Sequence, residues 1–319
     1  MKAILQTKYG SPDVLRFIEV DKPVPKQDQL LIKVQAMGLN AADWRLLVGD
    51  PPFVRLARLG KGRIPGSDMA GRVQAVGREV RQFRPGDEVY GDLSSSGFGA
   101  FAEYVCVPET AVAWKPSNLS FQEAAAVPMA AVTALQGLRD LGQIQPGQNV
   151  LVYGSSGGVG TFAVQIAKAL GAQVTAVCST AKADMVRSIG ADHVIDYTRE
   201  DFTQNGRHYD LILAANGYRS IWKYRRALTP TGRYVMAGGT MSQIFQAMLL
   251  GPMLSKAGGR TLAGVTAKPS QKDLLFMKEL IEAGRVIPVI DRCYSFNAIH
   301  EAFRYLGEGH AAGKVVITV

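Results

Sequence analysis

Over roughly the first 120 residues, short apolar or alternating stretches are separated by glycine and proline. Alternation with a period of two, interrupted by turn residues, is typical of β-strands. The clearest stretches are "QLLIKVQAMGLN", "DMAGRVQAVGREV", "DEVYGDLSSSG" and "FAEYVCVPE". The pattern predicts a β-rich, irregular barrel or sandwich.

The pattern changes near Ser120, where "SFQEAAAVPMAAVTALQGLRDLG" begins. Ser120 and Glu123, three residues apart, predict a capping box in front of an apolar helical run. From Val150 onward, apolar β-branched stretches alternate with helical ones. They include "NVLVYG", "TFAVQIAKALG", "QVTAVCS", "AKADMVRSIG", "HVIDY", "YDLILAAN", "SIWKYRRALTPTG", "RYVMAGG" and "RTLAGVT". Such alternation predicts a doubly wound nucleotide-binding domain, a parallel sheet covered by helices on both faces.

A helix, "QKDLLFMKELIEAGR", and a final strand, "GKVVITV", follow this domain. We expect the tail to return to the first domain and make it discontinuous. The predicted fold class is therefore α/β with two domains. The β-rich domain covers residues 1–122 and 266–319, and the nucleotide-binding domain covers residues 123–265.

The amino-acid composition is consistent with two domains and limits the cellular compartments in which we expect the protein. The chain has 319 residues, 47% of them hydrophobic, which is enough for two cores. No apolar run approaches the roughly 18–20 residues needed to span a bilayer. The start, "MKAILQTKYG", is typical of a first strand rather than of a signal peptide.

Cysteine and histidine give no sign of a disulfide framework or a metal centre. The three cysteines lie far apart, and the four histidines lack metal-ligand spacing. These features favour a reducing cytoplasm and predict no metal site. The residues concerned are Cys106, Cys178, Cys293, His193, His208, His300 and His310.

The formal net charge of +9 raises the possibility of a polyanionic partner. No helix-turn-helix, zinc finger or RNA-binding aromatic signature accompanies it. A solvated basic surface is therefore preferred, with no specific nucleic-acid partner. The two basic groups are Arg55, Arg58, Lys61, Arg63, Arg72, Arg78, Arg81 and Arg84, and Arg219, Lys223, Arg225, Arg226 and Arg233.

A glycine-rich loop, "GSSGGVG", follows a predicted strand and opens a predicted helix. In that context small residues let the backbone approach a pyrophosphate, which the N–H groups at the helix start then face. Ala163 is the small residue that lets helix and strand approach. The residues predicted to hold the cofactor here are Ser156, Gly157, Gly158, Val159 and Gly160.

The end of the second strand distinguishes NAD from NADP. An acidic residue in this place would accept a hydrogen bond from the ribose 2′-hydroxyl and would repel a 2′-phosphate. The sequence instead has Ser179 and Thr180, followed by Lys182. Hydroxyls and an ammonium suit a phosphate, so NADPH is favoured. The alternative for Lys182 is a solvated helix residue.

Several segments in family order resemble zinc-free medium-chain dehydrogenases/reductases, in the branch of quinone oxidoreductases (zeta-crystallin-like) and enone reductases. They are "GLNAADWRLLVGD", "IPGSDMAGRVQAVG", "FRPGDEVYG", "EAAAVPMAAVTALQGL", "VYGSSGGVG", "SIGADHVIDY" and "GRYVMAGG". The resemblance covers nearly the whole chain. It implies a GroES-like catalytic domain, a Rossmann domain, a cofactor cleft between them and a homodimer joined through the Rossmann sheets.

The same resemblance carries expectations for individual residues. In quinone reductases of this family, a lysine after the second strand and a tyrosine after the third hold the 2′-phosphate. Lys182 and Tyr197 occupy those positions. Zinc members carry an early cysteine and a His-Glu pair, whereas this chain has "NAADW" and Ser67-Asp68 there. Without soft ligands, zinc alcohol dehydrogenase chemistry is not expected.

Acceptors that need no metal are already electron-poor, as quinones and α,β-unsaturated carbonyl compounds are. By position in the family pattern, Asn40 and Arg45 are the candidate donors to the developing enolate. Asn40 could instead be a capping residue, and Arg45 a solvated charge. No side chain stands out as an essential general acid, and none is predicted. Further predicted cofactor contacts are Thr133, Asn216, Gly238 and Gly239.

The sequence leaves three functions open. The first is an NADPH-dependent reductase of quinones, enones or enals. The second is a zinc-independent carbonyl or alcohol dehydrogenase. The third, from another class, is a non-catalytic protein that binds NADPH and acts by binding RNA or a protein partner.

Overall fold

The computed structural model describes residues 1–56, 62–217, 219–256 and 259–319. Its two large sheets differ in character, and each belongs to a different compact unit. One compact unit consists of Met1–Met129, Lys268–Glu282 and Pro288–Val319, and the other of Ala130–Ala267 and Ala283–Ile287. The division predicted from the sequence stays a prediction. Arg58 and Lys61 of the basic group lie outside the described residues.

The strands are β1 (Lys2–Gln6), β2 (Leu15–Glu19), β3 (Gln29–Leu39), β4 (Asp68–Val76), β5 (Glu88–Asp92), β6 (Tyr104–Pro108), β7 (Val112–Trp114), β8 (Asn149–Tyr153), β9 (Gln173–Cys178), β10 (His193–Asp196), β11 (Tyr209–Ala214), β12 (Leu228–Met236), β13 (Thr261–Gly264), β14 (Ile290–Ser295) and β15 (Lys314–Thr318).

The α-helices are α1 (Ala41–Val48), α2 (Phe121–Ala125), α3 (Pro128–Leu135), α4 (Gly158–Ala169), α5 (Ala183–Ser188), α6 (Ile221–Arg226), α7 (Met241–Phe245), α8 (Gly251–Lys256), α9 (Gln271–Glu282) and α10 (Ile299–Gly307). Two π-helical segments, Gln136–Leu141 and Gln246–Leu250, continue α3 and α7. Short 3₁₀ turns occupy Pro12–Val14, Pro52–Leu56, Ser94–Ser96, Glu109–Ala111, Thr180–Lys182 and Phe296–Ala298.

The second unit contains a six-stranded parallel sheet in the order β10-β9-β8-β11-β12-β13. Its central strands are apolar and buried on both faces, as parallel strands between helices must be. In chain order within the sheet this is 3-2-1-4-5-6, the doubly wound arrangement. The predicted α/β fold class is therefore confirmed.

The first unit contains a mostly antiparallel seven-stranded sheet in the order β14-β15-β3-β4-β5-β7, with β6 also pairing with β3, and the two-stranded sheet β1-β2. The last strand, β15, pairs antiparallel with β3 and brings Val316 opposite Gly38. An apolar core that includes Phe101, Phe303 and Ile317 fills this unit.

The capping box at Ser120 is confirmed, but the helix it starts is short. Ser120 N donates to Glu123 Oε2 at 2.8 Å, and Glu123 N donates to Ser120 Oγ at 3.3 Å. The predicted single helical run is wrong, because α2 ends at Ala125 and α3 begins at Pro128. Proline has no N–H and is tolerated only in the first turn, so it begins a new helix.

Among the described residues, no helix is both long enough and apolar enough to cross a membrane.

Candidate active site

Glycines shape the loop between β8 and α4. Gly154 has a φ of +77°, in the left-handed region that favours glycine. A Cβ on Gly160 would lie 2.1 Å from the Gly154 carbonyl oxygen, so only glycine lets the first turn of α4 pack against the loop. Gly157 is the N-cap of α4, and a Cβ there would meet nothing closer than the same oxygen at 3.8 Å. The loop thus leaves open space at a helix start, an arrangement that suits a phosphate.

The five residues predicted to hold the cofactor phosphates share this turn. Ser156 and Gly157 precede α4, and Gly158, Val159 and Gly160 begin it. Sequence reasoning missed the residue that anchors the loop, Ser155. Its N and Oγ both donate to the carbonyl oxygen of Val177, at 3.1 and 3.0 Å, and tie the loop to the end of β9.

Asn216 lies directly beside the glycine loop. A Cβ on Gly154 would be 3.0 Å from the Cβ of Asn216. These two residues follow β8 and β11, the neighbouring strands at which the strand order of the sheet reverses. Ligands of doubly wound sheets bind at this reversal, outside the carboxyl ends of the strands.

Gly238 and Gly239 extend the same edge beyond β12. Gly217 N donates to Gly238 O at 2.9 Å, which joins this segment to the one after β11. A Cβ on Gly238 would lie 2.4 Å from Ala215 O, and one on Gly239 would lie 2.9 Å from Gly217 O. Both glycines are therefore required by contacts within the chain, and their contact with a nicotinamide ring stays a prediction.

Thr133 lies at the same edge of the sheet because its helix runs antiparallel to β11. Gly142, just past the π segment that follows α3, packs on Leu211 near the start of β11. Gly137 packs on Leu213, further along the same strand. The helix therefore runs opposite to β11, and Thr133, about one turn before Gly137, lies level with the carboxyl end of the strand. Its side chain is almost fully buried.

The ends of β9 and β10 bring together the residues predicted to hold a 2′-phosphate. Tyr197 N donates to Cys178 O at 3.1 Å, which sets Tyr197 beside Ser179. The Tyr197 side chain is half exposed. Thr180 and Lys182 form the 3₁₀ turn that leads into α5.

The sequence reasoning missed Asp196, the residue before Tyr197 in "HVIDY". Its carboxylate accepts from Thr180 Oγ1, and also from Thr198 N at 3.0 Å and Thr198 Oγ1 at 2.7 Å. These hydrogen bonds, the one from Thr180 above all, lower the pKa of Asp196, so it is ionised at neutral pH. A carboxylate therefore stands beside the predicted phosphate site, with its oxygens already engaged by two threonines.

In the first unit, Asn40 is part of a buried polar cluster. Its Nδ2 donates to Asp68 Oδ2 at 2.9 Å and to Ser67 Oγ at 3.4 Å. Its Oδ1 accepts from Lys314 Nζ at 2.5 Å. Ser67 Oγ in turn donates to Asp43 Oδ1 at 3.2 Å. Asp43 caps α1, because its Oδ2 accepts from Asn40 N at 2.9 Å.

The cluster contains more acidic than basic side chains. Lys314 Nζ lies 3.5 Å from Asp68 Oδ2, and the two side chains are 3% and 0% exposed. Asp68 also accepts from Met129 N at 3.1 Å and so holds the first turn of α3. Burial raises the pKa of Asp68 and of Asp92, and it raises that of Asp43 to about 6. The Lys314 ammonium therefore interacts with three buried carboxyl groups.

Arg45, the second predicted catalytic residue, has different surroundings from Asn40. Its side chain is one-third exposed, and its Nε lies 4.0 Å from Asp50 Oδ2. Arg45 thus lies near a partly exposed carboxylate, whereas Asn40 lies in the buried cluster.

Ser67 and Asp68 occupy the place that a His-Glu pair holds in zinc relatives, and their neighbours do not fit that metal. Oxygen donors around a buried ammonium match poorly with Zn²⁺, which proteins bind mainly through thiolate and imidazole. Within the described residues, no group of three or more His, Cys, Asp or Glu side chains could hold a metal ion.

Two stretches of this chain match domains of known protein families. The model of the alcohol dehydrogenase GroES-like domain matches residues 26–117, and that of a zinc-binding dehydrogenase domain matches residues 189–317. The 2-methylene-furan-3-one reductase of Solanum lycopersicum is 37% identical over 334 residues, covering 99% of this chain and 79% of that protein. The chloroplastic NADPH-dependent alkenal/one oxidoreductase of Arabidopsis thaliana is 34% identical with the same coverage of 99% and 79%.

A solved structure agrees with these relatives. The quinone oxidoreductase from Coxiella burnetii has a TM-score of 0.89 and 28% identity, covering 100% of this chain and 99% of that one. The fold and the glycine-lined edge define a dinucleotide-dependent oxidoreductase. The chain belongs to the medium-chain dehydrogenase/reductase family, in the branch of quinone oxidoreductases and enone reductases.

Proposed function

We propose that this protein is an NADPH-dependent reductase of quinones or of the C=C bond of α,β-unsaturated carbonyl compounds. The observation that carries the proposal is the glycine cradle at the start of α4, where Gly160 permits close packing and Gly157 leaves space for a phosphate. The names of the relatives support both acceptor classes. They include enone and alkenal reductases and quinone oxidoreductases.

The residues at the ends of β9 and β10 favour NADPH over NADH. Lys182 offers an ammonium, and Ser179 and Tyr197 offer hydroxyl groups to a 2′-phosphate. The Thr180 hydroxyl donates to Asp196 and could serve the phosphate only by giving up that bond. Asp196 is the residue that would favour a ribose 2′-hydroxyl. Its oxygens already accept hydrogen bonds from Thr180 and Thr198, which makes it a poorer acceptor for the ribose 2′-hydroxyl.

NADPH, when bound, supplies the hydride. The residues of this chain then have to orient an electron-poor acceptor and stabilise the negative charge that develops on its oxygen. Asn40 and Arg45 are the proposed donors. Because Asn40 already donates to Asp68 and Ser67, it can serve an acceptor oxygen only by giving up a bond, and the 3.4 Å bond to Ser67 is the weaker one.

The protonation step needs no dedicated acid in this proposal. Asp43 has a pKa near 6, but it is buried and engaged by Asn40 N and Ser67 Oγ. We therefore propose that solvent supplies the proton to the enolate.

The proposal is tested by following NADPH absorbance with a small panel of acceptors: a benzoquinone, 3-buten-2-one and an aldehyde. Oxidation with the quinone or the enone, and none with the aldehyde, is expected. Oxidation with the aldehyde alone would support a carbonyl or alcohol dehydrogenase. Tight NADPH binding without turnover of any acceptor would support a non-catalytic binding protein.

We further propose a cytoplasmic homodimer without a specific nucleic-acid partner. The three scattered cysteines support a reducing compartment. Edge strand β13 is partly covered within the chain, since Leu262 N donates to Ser255 Oγ of α8 at 2.9 Å. Sheet-to-sheet pairing must therefore use the remaining groups of β13. Light scattering tests the dimer, and a salt titration with RNA tests the absence of nucleic-acid binding.

A further inference from the structure

A helical segment with apolar residues on both sides, and with no charged residue before its last, Lys256, covers one face of the parallel sheet. Residues 241–256 form α7, the π segment and α8 without a break. On the inner side, Ile244, Ala247, Leu250 and Leu254 pack on the core of the sheet. On the outer side, the exposed fractions are 64% for Phe245, 53% for Leu249 and 68% for Met253. A surface helix normally presents polar residues to water, so an apolar outer side indicates a partner.

Helix α6 extends this outer side. Its residues Ile221 and Tyr224 pack on the same core, so α6 and residues 241–256 share one face of the sheet. Ile221 N also donates to Gln246 Oε1 at 3.1 Å, which makes the two segments neighbours. Trp222, 54% exposed, points away from the core. Trp222, Phe245, Leu249 and Met253 together are named the outer apolar surface.

The stretch of sequence that carries the outer apolar surface has charges of one sign. Residues 211–267 contain no Asp or Glu and seven lysines and arginines, against a net charge of +9 for the whole chain. Lys223 and Arg226 flank Trp222 on α6. One acid from outside this stretch, Asp201, lies 3.5 Å from Lys223 Nζ and 3.8 Å from an Arg219 nitrogen.

This charge distribution discriminates between partners. A second copy docked through the same surface would bring two basic helices together, which like-charge repulsion opposes. Nucleic acid would pair with the cations, but it would leave Phe245, Leu249 and Met253 against a polar backbone. An anionic lipid surface satisfies both features, because apolar side chains enter the acyl boundary while basic ones meet the headgroups.

We propose that the outer apolar surface docks this protein on anionic membranes as a peripheral protein. Phe245, Leu249 and Met253 insert below the headgroups, Trp222 sits at their level, and Lys223 and Arg226 contact the lipid phosphates. The proposal is independent of hydride transfer and needs no bound cofactor.

Co-sedimentation with vesicles tests the proposal. The protein is expected to bind phosphatidylcholine vesicles in which about one lipid in three is phosphatidylglycerol, to bind pure phosphatidylcholine far less, and to dissociate as salt rises. The triple variant F245S/L249S/M253S is expected to bind about tenfold more weakly. K223Q/R226Q should also bind more weakly and show a shallower salt dependence. I287S, which removes an exposed isoleucine elsewhere in the same unit, is the matched control and should bind as the wild type does.

Trp222 provides a second readout that needs no disruptive variant. Its emission should shift to the blue on anionic vesicles and be quenched by brominated acyl chains, and W222F should lose both signals. Unchanged vesicle binding by the triple variant would overturn the proposal. Absence of binding of the wild type to anionic vesicles would also overturn it. If the wild type were then a dimer that the triple substitution makes monomeric, the outer apolar surface would belong to a second copy.

Discussion

Lys314 Nζ donates to Asn40 Oδ1 at 2.5 Å, and these two buried residues are 274 positions apart in the chain. The bond joins the first residue of β15 to the N-cap of α1. It also fixes the amide orientation of Asn40, whose Nδ2 must then face Asp68. The final strand thus determines how a candidate active-site residue near the start of the chain is oriented.

Removing the ammonium should destabilise the first unit. Lys314→Met leaves Asp68, Asp43 and Asp92 without their cation, and breaking a buried ion pair costs about 3–5 kcal/mol of unfolding free energy. Urea unfolding measures the loss. Lys168→Met removes an exposed partner of Asp192 and should cost under about 1 kcal/mol. Adding Asp68→Asn to Lys314→Met should restore part of the stability, and no restoration would contradict the role assigned to the pair.

Stability should depend on pH through Asp43. Its pKa is about 6 in the folded protein and near 3.9 when unfolded, so the native state binds the extra proton between these values. Stability from this group is therefore complete below about pH 4 and falls as pH rises through about 6, by about 3 kcal/mol at most.

Asp43→Asn isolates that contribution from other titrating groups. The unfolding free energy of the wild type relative to Asp43→Asn should decrease between about pH 4 and 7. A constant difference across this range would show that Asp43 titrates normally and is not desolvated.

Two glycine substitutions should separate folding from cofactor binding. Gly160→Ala puts a Cβ 2.1 Å from Gly154 O, so α4 must shift, with a cost of about 1–3 kcal/mol and loss of NADPH binding. Gly157→Ala meets nothing within 3.8 Å and should unfold like the wild type, yet bind NADPH about tenfold more weakly because it fills the phosphate space. Thermal unfolding and NADPH fluorescence titration measure the two effects. Equal NADPH affinity in Gly157→Ala would remove the loop from the cofactor site.

Cofactor preference should depend on Lys182. Lys182→Ala is expected to reduce the affinity for 2′,5′-ADP by about tenfold and to leave that for 5′-AMP unchanged, because only the former carries the 2′-phosphate. Isothermal titration measures both ligands without turnover. Arg207→Ala, an exposed cation in the same unit, serves as the control. An equal loss for both ligands would contradict contact with the 2′-phosphate.

The sequence predicted those features that depend on local patterns. Apolar β-branched strands between helices predicted the parallel sheet, and the spacing of Ser120 and Glu123 predicted a capping box. The glycines after β8 predicted a tight turn at a helix start. Each of these signals lies within a few residues of the structure it determines.

Features that depend on long-range pairing were not predicted. Lys314 begins an otherwise apolar strand. Its contacts with Asn40 and Asp68 arise because β15 pairs with β3, which itself pairs with β4. Asp196 adjoins Tyr197 in the sequence, but its contact with Thr180 depends on the pairing of β9 with β10. The break between α2 and α3 did have a local signal, Pro128, which the apolar pattern around it outweighed.

The central claim is hydride transfer from NADPH to an activated acceptor, and isotope tracing tests it most directly. The protein is incubated with NADPH deuterated at the transferable position and 3-buten-2-one, and the product is examined by NMR, with benzoquinone as a parallel acceptor. The account predicts deuterium on the β-carbon of a saturated ketone whose carbonyl is intact, or consumption of the labelled NADPH with formation of hydroquinone. Deuterium on the carbonyl carbon of an alcohol, or no consumption of bound NADPH with either acceptor, would contradict it.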